Sequence, residues 1–167
     1  MELYLLRHAI AVDREKFDGE DSERPLTIDG EKKMRRIANG IRALKLSFDV
    51  ILSSPYRRAQ ETAGILAVRF NIRRHVRLTD ALAPRGNKRT LIAEIAALGA
   101  NANSIVLVGH EPYLSTLAAT LVSGGPSLGL ILKKGGLCKL VLDEVRFGRC
   151  AEIEWLLTPR QLIALAD

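Results

Sequence analysis

Short apolar runs that stop abruptly at polar residues, each followed by a segment of helical period, constrain this chain more than any other feature. Leu3-Tyr4-Leu5-Leu6 breaks off at Arg7-His8-Ala9, Phe48 to Leu52 at Ser53-Ser54-Pro55, and Ser104 to Val108 at Gly109-His110-Glu111-Pro112. Runs of this length read as buried strands, and the segments between them read as helices. Strands alternating with helices predict an α/β fold, a three-layer α/β/α sandwich on a mainly parallel sheet, because the crossover helices cover both faces. Ligands of such sheets sit beyond the carboxyl ends of the strands. Function is therefore to be sought where the three runs break off.

Cap signals set the helices. Thr27 is a good N-cap with Asp29 in the first turn, and Met34, Ile37, Ala38, Ile41 and Leu44 follow at helical spacing. Ser54 as N-cap and Pro55 as first helical residue predict a helix through Ala59, Ala63, Ile65, Leu66 and Val68, ending near Phe70 or Asn71. Arg58 then lies in its first turn. Pro112 marks the first turn of a helix carrying Leu114, Leu117, Ala118 and Leu121, and Thr90 to Leu98 is a helix stopped by Gly99. The arginine-rich segment Ile72 to Leu78 predicts an edge strand. Leu137 to Leu142 and Ala151 to Leu156 pair around Phe147-Gly148, so at least one strand is antiparallel, and Thr158-Pro159 opens a last helix. The polar stretch Asp13 to Arg24 reads as a loop over the strand ends.

The length of 167 residues and the 47% hydrophobic content fit one domain, residues 1–167, whose core needs no staples. Cys138 and Cys150 alone imply no disulfide framework, and no leader or membrane-length apolar run is present, so a cytoplasmic protein is expected. The net charge of +6 is concentrated in Arg69, Arg73, Arg74, Arg77, Arg85, Lys88 and Arg89 and favours anionic partners. Aromatic residues are only 5% and do not interleave with the basic ones as a base-stacking platform requires, so nucleic acid is not the expected partner. His8, His75 and His110 have neither ligand spacing nor a carboxylate cluster, so no metal or other cofactor is expected. His75 reads as a surface histidine, Arg57 as a solvated helix charge, and Lys133-Lys134 beside Gly135-Gly136 as a turn.

Side by side, the three breaks supply Arg7, His8, Arg58 and His110, with Ser54 and the helix starts adding hydroxyl and backbone donors. This is an oxyanion pocket, since arginine offers a permanently charged planar fork and helix starts offer free N–H groups. Guanidinium neighbours disfavour protonation of His8 and leave it a lone pair with which to attack phosphorus. Arg7, Arg58 and His110 can then stabilise charge on the equatorial phosphoryl oxygens.

These residues resemble the histidine phosphatase superfamily, which has the phosphoglycerate mutase-like fold, and within it the small SixA-type phosphohistidine phosphatases. Arg7-His8-Ala9 is similar to its Arg-His-Gly signature, and Pro25-Leu26-Thr27-Ile28-Asp29-Gly30 to its Leu-Thr-x-x-Gly segment. Ser54 to Thr62 is similar to its Ser-Pro-x-x-Arg-Ala-x-x-Thr segment, and Val108 to Pro112 to its second-histidine motif. The resemblance implies phosphoryl transfer through a phosphohistidine at His8, without metal, with Arg7, Arg58 and His110 binding phosphate or vanadate-type anions; the pocket reading adds Ser54 to the phosphate-binding residues. Little room for a cap implies phosphohistidine on a protein partner as the leading substrate, ahead of a small phosphate ester or of silent phosphate binding. Ala9 in place of glycine invites strain if the backbone there needs positive φ. A general acid is not evident; Asp80, ahead of the Leu82 to Asn87 loop, is the best candidate, ahead of Asp18, Asp21 and Glu111.

Overall fold

Leu3, Tyr4, Leu5 and Leu6 are fully buried on both faces, which only an internal strand allows, and β1 (Glu2–Arg7) indeed lies inside a six-stranded sheet. The computed structural model describes residues 1–166. In chain order the elements are β1, α1 (Ile28–Ala43), β2 (Val50–Ser53), α2 (Arg57–Phe70), β3 (Val76–Leu78) and α3 (Lys88–Gly99). They continue with β4 (Ser104–Gly109), α4 (Tyr113–Ser123), β5 (Leu137–Leu142), β6 (Ala151–Leu157) and α5 (Pro159–Ala164). The strand order is β3-β2-β4-β1-β5-β6. Strands β1 to β4 pair in parallel, while β5 runs antiparallel to both β1 and β6.

Alternation along β1 divides the core in two. Leu3 and Leu5 join Leu91, Ile95, Leu114, Leu117 and Leu121 on the face covered by α3 and α4. Tyr4 and Leu6 join Met34, Ile37, Ile41, Ala63, Leu66 and Leu162 on the face covered by α1, α2 and α5. This is the expected three-layer sandwich. Arg7 pairs with Gly109 at the end of β4, and Ser53 with Val108, so the three breaks meet on one rim.

Helix boundaries depart from expectation where side chains have other work. Thr27 caps α1 as expected, accepting from Gly30 N. Gly30 is required there, because a Cβ would lie 2.0 Å from the Ile10 carbonyl oxygen. Helix α2 begins at Arg57 and not at Pro55, since the Ser54 hydroxyl is turned to His110. Pro112 caps α4 from outside it, and α3 begins two residues ahead of Thr90 because Asn87 Oδ1 accepts from Arg89 N and Thr90 N. Strand β2 starts at Val50 and not at Phe48, because the Asp49 carboxylate accepts from Asn103 N and Ser104 N. The edge strand β3 is cut to Val76–Leu78 by a 3-10 turn at Arg73–His75. Among the described residues no helix is long and apolar enough to cross a membrane.

Candidate active site

The chain leaves β1 pinned from both sides. His8 N donates to Gly109 O (3.0 Å), Ala9 N donates to Thr62 Oγ1 (3.1 Å), and Thr62 Oγ1 donates to Arg58 O (2.7 Å). Strands β1 and β4 and helix α2 are thereby tied at the histidine. Ala9 does not have the positive φ that would have strained it; Lys45 and Asn71 are the described non-glycine residues that do. His8 Nδ1 lies 2.7 Å from Ala9 O, an acceptor only, so Nδ1 carries the proton and Nε2 the lone pair. Arg58 Nε donates to that lone pair at 3.3 Å.

The other groups close around this pair. The His110 ring lies 5.2 Å from the His8 ring, and its Nε2 is 2.7 Å from Ser54 Oγ; that hydroxyl accepts from Tyr56 N and donates to Nε2, which leaves the His110 proton on Nδ1. His110 Nδ1 and Arg7 Nε are buried without a partner. Arg7 Nη1 donates to Leu132 O (3.0 Å), and Arg7 O accepts from Gly135 N (3.0 Å), which seats the Lys133-Lys134 turn at the end of β1. Arg58, 4% exposed, gives Nη1 to Asp21 O (2.7 Å) and Nη2 to Asp21 Oδ2 (3.0 Å). Asp21 Oδ1 accepts from Arg24 Nε (2.7 Å).

Burial is the first cause that pushes His8 down to about 3; the Arg58, Arg7 and Lys134 charges add to it, against the opposing Ala9 hydrogen bond. Burial likewise pushes His110 down to about 3, with His8 and Arg58 assisting. Both imidazoles are neutral at neutral pH. Burial raises Asp21, but the hydrogen bonds from Arg24 and Arg58 outweigh it and hold the carboxyl below its ordinary range. The rim is thus a cationic pocket with a neutral imidazole whose lone pair faces it.

The sequence profile of the histidine phosphatase superfamily (branch 1) matches residues 3–86, from β1 past the end of β3. The chain belongs to the histidine phosphatase superfamily. The activity class of this histidine phosphatase is accordingly hydrolysis of phosphate groups. It is 40% identical over 141 residues to an uncharacterised protein of Picosynechococcus sp., covering 84% of each chain. It is 26% identical over 163 residues to the phosphohistidine phosphatase SixA of Escherichia coli strain K12, covering 97% of this chain and 96% of that one. A solved structure of the protein histidine phosphatase SixA complexed with tungstate superposes with a TM-score of 0.85 at 26% identity, over 97% of this chain and 99% of that one. The sandwich described above is the phosphoglycerate mutase-like fold of SixA.

Of the residues singled out in the sequence, the histidine phosphatase brings Arg7, His8, Arg58 and His110 together. Ser54 is brought there too, but its buried hydroxyl is engaged by His110 and Tyr56. Asp80 is exposed in a 3-10 turn after β3, its carboxylate in no hydrogen bond or ion pair. Glu111 is turned to Ser115 N. Asp21 joins the site through arginine and ionised, not as an acid. Arg24 was not legible as a site residue, because only the fold of the 13–26 loop brings it to Asp21. Lys134 forms the expected turn, yet its charge acts on His8. Among the described residues no three His, Cys, Asp or Glu side chains gather as a metal-holding cluster.

Proposed function

We propose that this histidine phosphatase hydrolyses phosphohistidine on a protein partner through a covalent phosphohistidine at His8. The observation that carries the proposal is the His8 tautomer: Nδ1–H is spent on Ala9 O, and the Nε2 lone pair faces the arginine fork. Nε2 attacks phosphorus, the substrate N–P bond breaks, and its electron pair goes to the leaving imidazole, which takes a proton from solvent. Water then attacks the phosphorus on His8, the Nε2–P bond breaks, and inorganic phosphate leaves with His8 again neutral. In both steps Arg7, Arg58 and His110 donate to the equatorial oxygens, where charge builds. Arg58 Nε–H, resting on the His8 lone pair, must turn to phosphate before attack. The cations come from the protein, so the reaction as proposed calls on no metal or cofactor.

Two features support phosphohistidine over an alkyl phosphate. No carboxylic acid stands ready beside the nucleophile: Asp21 is held ionised and Asp80 is unengaged. An imidazole leaving group needs such an acid less than an alkoxide does. The connections after β2 and β4, residues 54–56 and 110–112, are also too short to carry a cap, which leaves that side of the rim to a protein-borne phosphohistidine. The similarity to SixA agrees with both.

The test pairs a chemically histidine-phosphorylated protein with p-nitrophenyl phosphate. Wild type is expected to form an acid-labile phosphoenzyme that His8→Ala abolishes, and to favour the phosphoprotein by about 100-fold or more in kcat/KM. Preference for the ester would leave the intermediate standing and overturn the substrate. Absence of any phosphoenzyme would overturn the mechanism.

A further inference from the structure

We infer that Asp21 is a positioning residue that aims Arg58 at the phosphoryl group, an inference that rests on the reading of His8 as nucleophile. A guanidinium has an outer fork, formed by its two Nη groups, and an inner one, formed by Nε–H and the near hydrogen of Nη2. Asp21 takes the outer fork from two directions, its carbonyl on Nη1 at 2.7 Å and Oδ2 on Nη2 at 3.0 Å. The inner fork is what remains beside His8, where Nε lies 3.3 Å from Nε2. A phosphoryl group arriving over Nε2 therefore meets an inner fork held beside it, whose Nε–H has only to pass from Nε2 to a phosphoryl oxygen.

The clamp is itself braced. Asp21 Oδ1 accepts from Arg24 Nε at 2.7 Å, and Arg24 Nη1 donates to Val12 O at 2.6 Å, which ties the loop back to the chain leaving β1. The carboxylate is two-fifths exposed while the guanidinium is buried, so the loop acts on Arg58 from the solvent side. Being anionic, Asp21 does not itself attract phosphate. Its contribution is to alignment, which counts in the transition state more than in ground-state binding.

That asymmetry is the test. With phosphoramidate as donor, Asp21→Ala is expected to slow phosphoenzyme formation by about 10- to 100-fold, while tungstate binds as tightly as to wild type or more tightly. Asp21→Asn, close in size, guards against misfolding and should lie between, and Asp21→Glu should recover part of the rate. In an Arg58→Ala background, Asp21→Ala should change the rate less than about 3-fold, because its target is gone. The Arg58 Nε–H resonance should broaden in Asp21→Ala, in a protein that still unfolds cooperatively. Tungstate affinity falling in step with rate, additive losses in the double variant, or a faster Asp21→Ala enzyme would each overturn the inference. If wild type forms no phosphoenzyme, the catalytic reading fails, and the Nε–H resonance still reports whether Asp21 orders Arg58.

Discussion

The two ends of β1 both bury charge, and they do so in opposite ways. At its start, Lys139 Nζ sits between Glu2 Oε1 (2.6 Å) and Glu154 Oε2 (2.9 Å), and Tyr4 OH donates to the other oxygen of Glu2. Its hydrogen bonds with Lys139 lead in holding Glu2 ionised, and the two carboxylates keep Lys139 protonated against its burial. At the finish, Arg7 Nε and His110 Nδ1 have no partner, and a lone pair on His8 meets only one long contact from Arg58. A satisfied network holds strands together, whereas leftover donors around a neutral imidazole leave room for an anion. The strand is one piece of structure with a fastening at one end and the proposed reaction site at the other.

The sharpest way to break this contrast is to remove one cation from each end. Arg58→Ala should lower kcat/KM by about 1,000-fold, because the proposed mechanism loses a donor to the transferring oxygens. Lys139→Met should leave kcat/KM within about 2-fold and lower stability by about 1–2 kcal/mol, since it strands two half-exposed carboxylates beside each other. Steady-state kinetics and urea unfolding on both variants decide it. Comparable kinetic losses would erase the distinction between the two ends.

Much of this geometry was legible in residues alone, and what was not has a physical reason. Arg7, His8 and His110 follow apolar runs directly, so strand ends place them without knowledge of the fold. Arg58 is found because a first-turn position keeps it near a strand end whether α2 starts at Pro55 or at Arg57. Ser54 misled as a cap: its hydroxyl has a better acceptor in His110 Nε2, a partner far along the chain. Charge was assigned the leading part in keeping His8 neutral, whereas burial leads, and burial is a property of the assembled sheet. Asp80 looked like the best carboxylate by its place after a strand. Asp21, one of many acidic residues in an irregular loop, is distinguished only by where that loop lands.

Acid should separate the two ends by pH. An imidazole held well below its ordinary value of 6.5 binds fewer protons folded than unfolded, so stability falls as pH drops below that value. By pH 5 each such histidine costs about 2 kcal/mol relative to neutral pH. Glu2 and Asp21, held below their ordinary values, contribute stability that is lost only at lower pH, as they protonate. Urea unfolding at pH 7 and pH 5 should therefore report the His8 end. His8→Gln should remove about half of that acid-side loss, and Lys139→Met should leave it unchanged.

The smallest expected effect concerns how far the reactive end extends. Lys134 is exposed, its ammonium unpaired, and it stands in the turn that Gly135 N fastens to Arg7 O. A solvated charge there is screened by salt and does not touch the reacting atoms, so it should act on encounter with an anionic substrate and not on the chemical step. Lys134→Ala should lower kcat/KM by about 3-fold at low ionic strength and by less at 0.5 M salt, with kcat unchanged. A fall in kcat that persists in high salt would move Lys134 from the approach into the pocket, and the reactive end of β1 would then include the turn before β5.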